Sequence, residues 1–99
     1  MLKITVADTR TQRRVVLEGK LIAPWVAELR TAWIAAHADL RGRELVIDMA
    51  NITCISPEGE TVLLELMEKG TRFRCRDVFT KHVVQQLARR RKRDSSVAS

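Results

Sequence analysis

The sequence has few of the residues from which metal sites and catalytic centres are usually built. It contains two histidines and two cysteines, and their spacing matches no zinc-binding pattern. It also has no glycine-rich phosphate loop of either common kind. Cys54 and His82 could be drawn as a nucleophile and its base, but Cys54 lies among isoleucines and is predicted to be a buried, unreactive thiol. The sequence therefore predicts a protein that is not an enzyme and uses no metal or cofactor.

Long apolar segments are missing as well. We expect no signal peptide, and the sequence contains no run of apolar residues long enough to cross a membrane. With Cys54 and Cys75 as its two cysteines, this pattern is typical of a cytoplasmic protein with free thiols. The sequence does not decide whether the two cysteines form a disulfide, because it does not fix the distance between them.

The chain does have enough apolar residues to form a single hydrophobic core. Its 99 residues are 45% hydrophobic, which suffices for one domain and not for two. The net charge of +6 is unevenly placed, since residues 89–94 hold five basic side chains and one acidic one. That segment contributes +4 and the remainder only +2. We predict one domain over residues 1–88 and a basic, disordered tail over residues 89–99.

Hydrophobic periodicity predicts an opening β-hairpin and a first helix. Apolar and polar residues alternate over residues 2–6, and a second strand over residues 15–22 contains a bulge or a close backbone approach at Gly19. Pro24 is placed at the first helical position, and apolar residues then recur at helical spacing to residue 40.

The segment LVIDM at residues 45–49 is apolar on both faces except for Asp48, which predicts a parallel strand covered on both sides. The order strand, helix, strand implies a right-handed crossover. A carboxylate at this position must be hydrogen-bonded or near the strand end, because burying it unpaired costs several kcal/mol. We predict that Asp48 stabilises the following turn, and a catalytic acid is the alternative.

The central strand runs into signals that open a second helix. Ser56 is predicted to cap it, Pro57 to occupy its first turn, and Glu58 and Glu60 to complement its dipole. The buried stripe of this helix is predicted to comprise Gly59, Val62, Leu63, Leu66 and Met67. Leu64 points the other way, and we predict that it is exposed and anchors a partner protein.

A last strand and helix complete the predicted fold. Phe73 and Cys75 alternate with arginines, which is typical of a sheet edge protected by charge. Phe79 and Thr80 are predicted to form the hydrophobic staple and the cap of a third helix. The buried residues of that helix are predicted to be Val83, Val84 and Leu87. The fold class is therefore α/β, a four-stranded mixed sheet of a hairpin followed by parallel strands, covered by three helices.

The basic run offers an alternative function, because it could contact phosphates of nucleic acid or an anionic surface. The residues concerned are Arg89, Arg90, Arg91, Lys92 and Arg93. No aromatic residue lies between them, and a solvated helix C-terminus explains most of the run.

The order of these elements resembles the STAS domain, the fold of bacterial anti-sigma factor antagonists and of the cytoplasmic part of sulfate transporters. Three segments carry the resemblance: LEGKL at residues 17–21, LVIDM at residues 45–49, and ISPEG at residues 55–59 followed by VLL at residues 62–64. The resemblance extends from the opening hairpin to Leu87.

In the antagonists, the turn corresponding to residues 56–59 reads aspartate, serine, serine or threonine, glycine, and an anti-sigma kinase phosphorylates the residue before the glycine. Here Gly59 matches, Ser56 stands in place of the aspartate, Pro57 in place of the first serine, and Glu58 in place of the phospho-acceptor. Glutamate cannot accept a phosphate, but it places a fixed negative charge at the helix N-terminus.

The resemblance implies a non-enzymatic module that docks a protein through Ser56, Glu58, Gly59, Glu60 and Leu64. Its partner would be an anti-sigma factor, a kinase-like regulator or another signalling protein, and switching by phosphorylation at position 58 would be lost. Ser56 is a second candidate for phosphorylation. Two alternatives to this function are a homodimer and a purely structural subunit of a signalling assembly. The simplest alternative explanation of residues 56–59 is that they form only a good helix start.

Overall fold

A computed structural model describes the backbone of residues 1–98 and the side chains of residues 1–91. Four strands form one sheet in the order in which they occur in the chain: β1 (Leu2–Asp8), β2 (Gln12–Leu21), β3 (Glu44–Ile55) and β4 (Arg72–Cys75). The first pair is antiparallel, whereas β2, β3 and β4 are parallel. The helices are α1 (Val26–His37), α2 (Pro57–Glu68) and α3 (Val78–Ala98). The predicted mixed sheet with three helices is confirmed.

The hairpin has the predicted irregularity at Gly19. This residue has φ +107°, and a Cβ placed on it would lie 2.2 Å from the carbonyl oxygen of Met1. The register between β2 and β3 shifts on both sides of Gly19. Only a residue without a side chain fits here, so the predicted close approach is confirmed. The predicted alternative, a bulge at Gly19 itself, is not observed, because the extra residues of the register shifts lie in β3.

All three helices cover the same face of the sheet. Leu45, Ile47 and Met49 of β3 join the buried residues of the helices in one core cluster, whereas Val46 does not. Successive strand residues point to opposite faces, so Val46 and Asp48 lie on the other face. Their neighbours on β2 and β4 are largely arginines, yet Val46 and Asp48 are only 5% and 2% exposed. The predicted burial of β3 on both faces is therefore confirmed, although all three helices lie on one of them.

The first helix begins later than predicted. Trp25 donates its N–H to the carbonyl oxygen of Ile22 at 2.8 Å, which makes a turn that contains Pro24, and the helix starts at Val26. Proline therefore precedes the helix instead of opening it. On the buried side of α1, Trp33 donates its indole N–H to Thr71 Oγ1 at 2.9 Å. His37 is exposed and stacks on the Trp33 ring with 4.8 Å between ring centroids.

The third helix has a different cap from the predicted one. Asp77, not Thr80, is the capping residue, and its Oδ1 accepts the backbone N–H of Thr80 in the first turn at 3.0 Å. The Thr80 hydroxyl donates to the same oxygen and is fully buried, while Phe79 is partly exposed. Leu87 is buried as predicted, whereas Val83 and Val84 are only partly buried against the core.

The boundary predicted at residue 88 falls within α3. The division into a domain and a disordered tail stays a prediction. The side chains of Lys92, Arg93 and residues 94–98 lie outside the described part of the chain, as does the whole of Ser99. None of the helices in residues 1–98 combines the length and the apolar character needed to cross a membrane.

Candidate functional site

The turn between β3 and α2 is built around Ser56. The Ser56 hydroxyl oxygen accepts the N–H of Gly59 at 3.1 Å, and the Ser56 carbonyl oxygen accepts the N–H of Glu60 at 2.9 Å. Pro57 follows at the first helical position, where its missing N–H costs nothing. The predicted cap is therefore confirmed in each of its parts.

The carbonyl oxygen of Leu21, at the end of β2, fixes this turn to the sheet. It accepts the backbone N–H of Ser56 at 3.0 Å and lies 3.5 Å from the Ser56 hydroxyl oxygen. A Cβ placed on Gly59 would lie 2.6 Å from the same carbonyl oxygen and 3.2 Å from Ile55 Cγ2. Gly59 is thus required because α2 starts in direct contact with the ends of two strands.

The outer side of the turn is formed by Pro57, Glu58 and Thr61, which are all exposed. We call these three residues the α2 ridge. Among the described side chains Glu58 takes part in no ion pair, so its carboxylate is free to meet a partner. Thr61 was missed by the sequence analysis, although its spacing of three residues from Glu58 places it on the same side of a helix.

Neighbouring helices enclose the two other sides of α2. Arg30 of α1 binds Glu65 through two contacts of 2.9 and 3.0 Å, and Arg90 of α3 lies 3.5 Å from Glu60. Leu64 follows Glu60 by one turn and lies on the side that meets α3. It is half-buried against the core, so the prediction of an exposed Leu64 is wrong.

The contact between Arg90 and Glu60 brings together two regions that the sequence analysis treated separately. Arg89, Arg90 and Arg91, proposed as nucleic-acid contacts, are exposed on α3. One of them is engaged with the acidic first turn of α2. The basic end of α3 and the predicted docking turn are therefore adjacent surfaces.

Asp48 lies inside β3 and is only 2% exposed. Its Oδ2 is 3.4 Å from Arg76 Nη2, while Oδ1 has no hydrogen-bond partner among the described residues. The strand continues to Ile55, so Asp48 is distant from the turn and the predicted turn-stabilising role is wrong. Asp48 instead pairs with Arg76, just past the end of β4.

Cys54 is exposed, contrary to prediction, because the register shifts between β2 and β3 keep Ile52 and Ile55 on the core side and turn Cys54 outward. His82 is exposed as well, and no hydrogen bond joins the two in the described structure. Burial raises the pKa of the partly buried Cys75 thiol. Both cysteines are free.

Other parts of the described structure offer neither a metal centre nor a groove lined by predicted site residues. Within the described residues, no group of three or more histidine, cysteine, aspartate or glutamate side chains is arranged to hold a metal ion. A groove of about 360 Å³ runs along α1 and is lined by Ala27, Glu28, Thr31, Ala32 and Ala35. It contains none of the predicted site residues, so the turn at residues 56–59 remains the candidate site.

Comparison with solved structures identifies the fold. The chain is similar to an anti-sigma factor antagonist, a STAS domain from Rhodobacter sphaeroides, with 18% sequence identity and a TM-score of 0.50. The match covers 75% of this chain and 84% of that one. No protein-family model and no curated protein matches the sequence. The chain therefore has a STAS-type fold, as predicted.

Proposed function

We propose that this STAS-fold domain is a non-enzymatic interaction module that docks a regulatory protein through the turn at residues 56–59 and α2. The observation that carries the proposal is the α2 ridge, where Pro57, Glu58 and Thr61 are exposed on a backbone fixed by Ser56, Gly59 and the end of β2. Exposed residues on a rigid turn are typical of a recognition surface. The partner class is an anti-sigma factor, a kinase-like regulator or another signalling protein.

Switching by phosphorylation at position 58 is not part of this proposal. A carboxylate there carries about −1 charge, against −1.5 to −2 for a phosphoserine at neutral pH, so Glu58 supplies part of that charge permanently. The Ser56 hydroxyl already accepts the Gly59 N–H. A phosphate on Ser56 would have to replace that cap, which disfavours Ser56 as a site of modification.

The test uses the full-length chain as bait in extracts of its own cells, with captured proteins quantified by mass spectrometry. Glu58→Lys and Thr61→Arg are expected to lower recovery of one regulatory protein by roughly tenfold or more. Glu28→Lys is the matched control, because Glu28 is also exposed and acidic in the first turn of a helix, α1. Equal recovery by wild type, Glu58→Lys and Glu28→Lys would contradict the proposal.

The exposed arginines of α3 support the alternative of nucleic-acid binding. That alternative predicts affinity for DNA or RNA that falls steeply with salt and is lost when residues 89–99 are removed. The docking module instead retains its protein partner after this truncation. A salt-titrated gel shift and the capture experiment on the truncated chain therefore separate the two functions.

A further inference from the structure

The free edge of β4 combines an arginine face with an incompletely covered apolar face. β4 is the last strand of the sheet and pairs with β3 on one side only. Arg72 and Arg74 are exposed on the face that the helices leave open. Phe73 and Cys75 alternate with them toward the helices and are only partly buried. An edge of this kind offers unpaired backbone groups together with two chemically distinct faces.

The charges on the arginine face are partly unpaired. Arg72 lies 3.4 Å from Glu44, and Arg76, just past the strand end, lies 3.4 Å from Asp48. Arg74 has no ion pair among the described side chains. Asp48 is the neighbour of Arg74 on β3, but its carboxylate pairs with Arg76 instead. The edge therefore presents positive charge to an incoming chain.

Apolar surface is exposed where the same strand ends. Val78 is 85% exposed and Phe79 is 43% exposed, and they open α3 after the two residues that follow β4. Phe73 of β4 is itself only partly buried, and we call Phe73, Val78 and Phe79 the apolar margin. Exposed large apolar residues at a strand edge are a liability unless a partner covers them.

We propose that the edge of β4 binds an extended segment of another protein that carries an acidic residue at every second position. The segment adds a fifth strand by main-chain hydrogen bonding. Alternate residues of a strand lie about 6.6 Å apart on one face, so the acidic side chains stand opposite Arg72 and Arg74. The intervening apolar side chains cover Phe73 and Phe79.

The same features disfavour other occupants. A second copy pairing through its own β4 would place arginines opposite arginines, and like charges directly opposite each other are destabilising. A nucleic acid would use the arginines but would leave the apolar margin uncovered. This surface is separate from the α2 ridge, so the inference goes beyond the proposed function. Peptide binding at β4 and docking at the α2 ridge can each be disproved without the other.

The test measures fluorescence anisotropy of a labelled peptide of alternating glutamate and valine, titrated with the full-length chain. A peptide of the same composition with its glutamates contiguous should bind at least roughly tenfold more weakly, because only the alternating peptide matches both faces. Arg74→Glu should lower the affinity for the alternating peptide by roughly tenfold. A peptide with lysine in place of the central glutamate should restore binding to Arg74→Glu. Arg10→Glu is the control, since it makes the same charge change at the exposed hairpin loop.

Amide chemical shifts of the wild-type chain locate the bound peptide independently of any variant. The proposal expects shifts concentrated in residues 72–79. It is overturned if both peptides bind equally or if Arg10→Glu weakens binding as much as Arg74→Glu. It is also overturned if the alternating peptide shows no binding at a protein concentration of about 1 mM. Shifts confined to α2, or a chain that is already dimeric through β4, would overturn it as well.

Discussion

The backbone N–H of Ser56 donates to the carbonyl oxygen of Leu21 at 3.0 Å, and this bond ties the start of α2 to the end of β2. Since the Gly59 backbone packs on the same oxygen, two points of the turn are fixed by one atom of the sheet. The α2 ridge therefore has a defined position before any partner binds, and a docking surface with a fixed shape loses less conformational entropy on binding.

Gly59→Ala should destabilise the fold. Its Cβ would lie 2.6 Å from the Leu21 carbonyl oxygen, and a backbone atom cannot move away as a flexible side chain can. We expect a loss of about 1–3 kcal/mol in the free energy of unfolding, measured by urea denaturation. Thr61→Ala, one half-turn along and exposed, is the control and should change stability by about 0.5 kcal/mol or less. Equal losses of stability from the two substitutions would show that Gly59 does not pack tightly on the Leu21 carbonyl oxygen.

Removing the cap should weaken α2 without displacing it. Ser56→Ala loses the hydrogen bond from Gly59 N–H but keeps the backbone bond to Leu21, so we expect a loss of about 1 kcal/mol. Ser56→Asp should retain most of the stability, because its carboxylate accepts the same N–H and favours the helix dipole. Thermal unfolding of the three proteins checks the order. A chain in which Ser56→Asp is less stable than Ser56→Ala would contradict the capping role.

Asp48 and Arg76 should be energetically coupled. Arg76→Ala leaves a carboxylate that is 2% exposed without its ion-pair partner, so we expect a loss of about 1–3 kcal/mol. Arg74→Ala, on the same face but with no ion pair among the described side chains, should cost about 0.5 kcal/mol or less. In the double variant Asp48→Val with Arg76→Ala, the cost of losing Arg76 should largely disappear. Additive effects in this double-mutant cycle would refute the coupling.

Stability should depend on pH through Asp77. Hydrogen bonds from the Thr80 hydroxyl and the Thr80 backbone N–H lower the pKa of Asp77 below its usual value. A carboxylate with a lowered pKa in the folded state contributes stability above its unfolded pKa and loses that contribution as the pH falls through the folded value. Asp77→Asn keeps a capping oxygen but does not titrate.

The difference in unfolding free energy between wild type and Asp77→Asn should therefore be constant above about pH 5 and shrink below about pH 4. Urea denaturation at several pH values measures it. A difference that does not change over this range would show that the pKa of Asp77 is not lowered by folding.

Features that depend on neighbours in the sequence were predicted well. The cap at Ser56, the proline after it and the buried stripe from Gly59 to Met67 all follow from local chemistry and helical period. The order of strands followed from the parallel crossover. These features also define the turn, so the backbone of the candidate site could be predicted from the sequence.

Features set by packing between distant elements could not be predicted. Leu64 looked exposed on a single helix, and only the position of α3 shows why it is partly buried. Cys54 looked buried because it lies among Ile52 and Ile55, but the register shifts in β3 place both isoleucines on the core side and leave Cys54 exposed. The contact of Arg90 with Glu60 joins residues thirty positions apart, and no local sequence pattern predicts it.

The central claim is that the α2 ridge docks a protein, and site-specific photo-crosslinking tests it most directly. A photoreactive benzoylphenylalanine replaces Thr61 on the ridge or, as the control, Ile34, which is exposed on α1. In the cell of origin we expect one regulatory protein to crosslink at position 61 but not at position 34, and Glu58→Lys to abolish that crosslink. No specific product at position 61, or the same product from both positions, would contradict the claim.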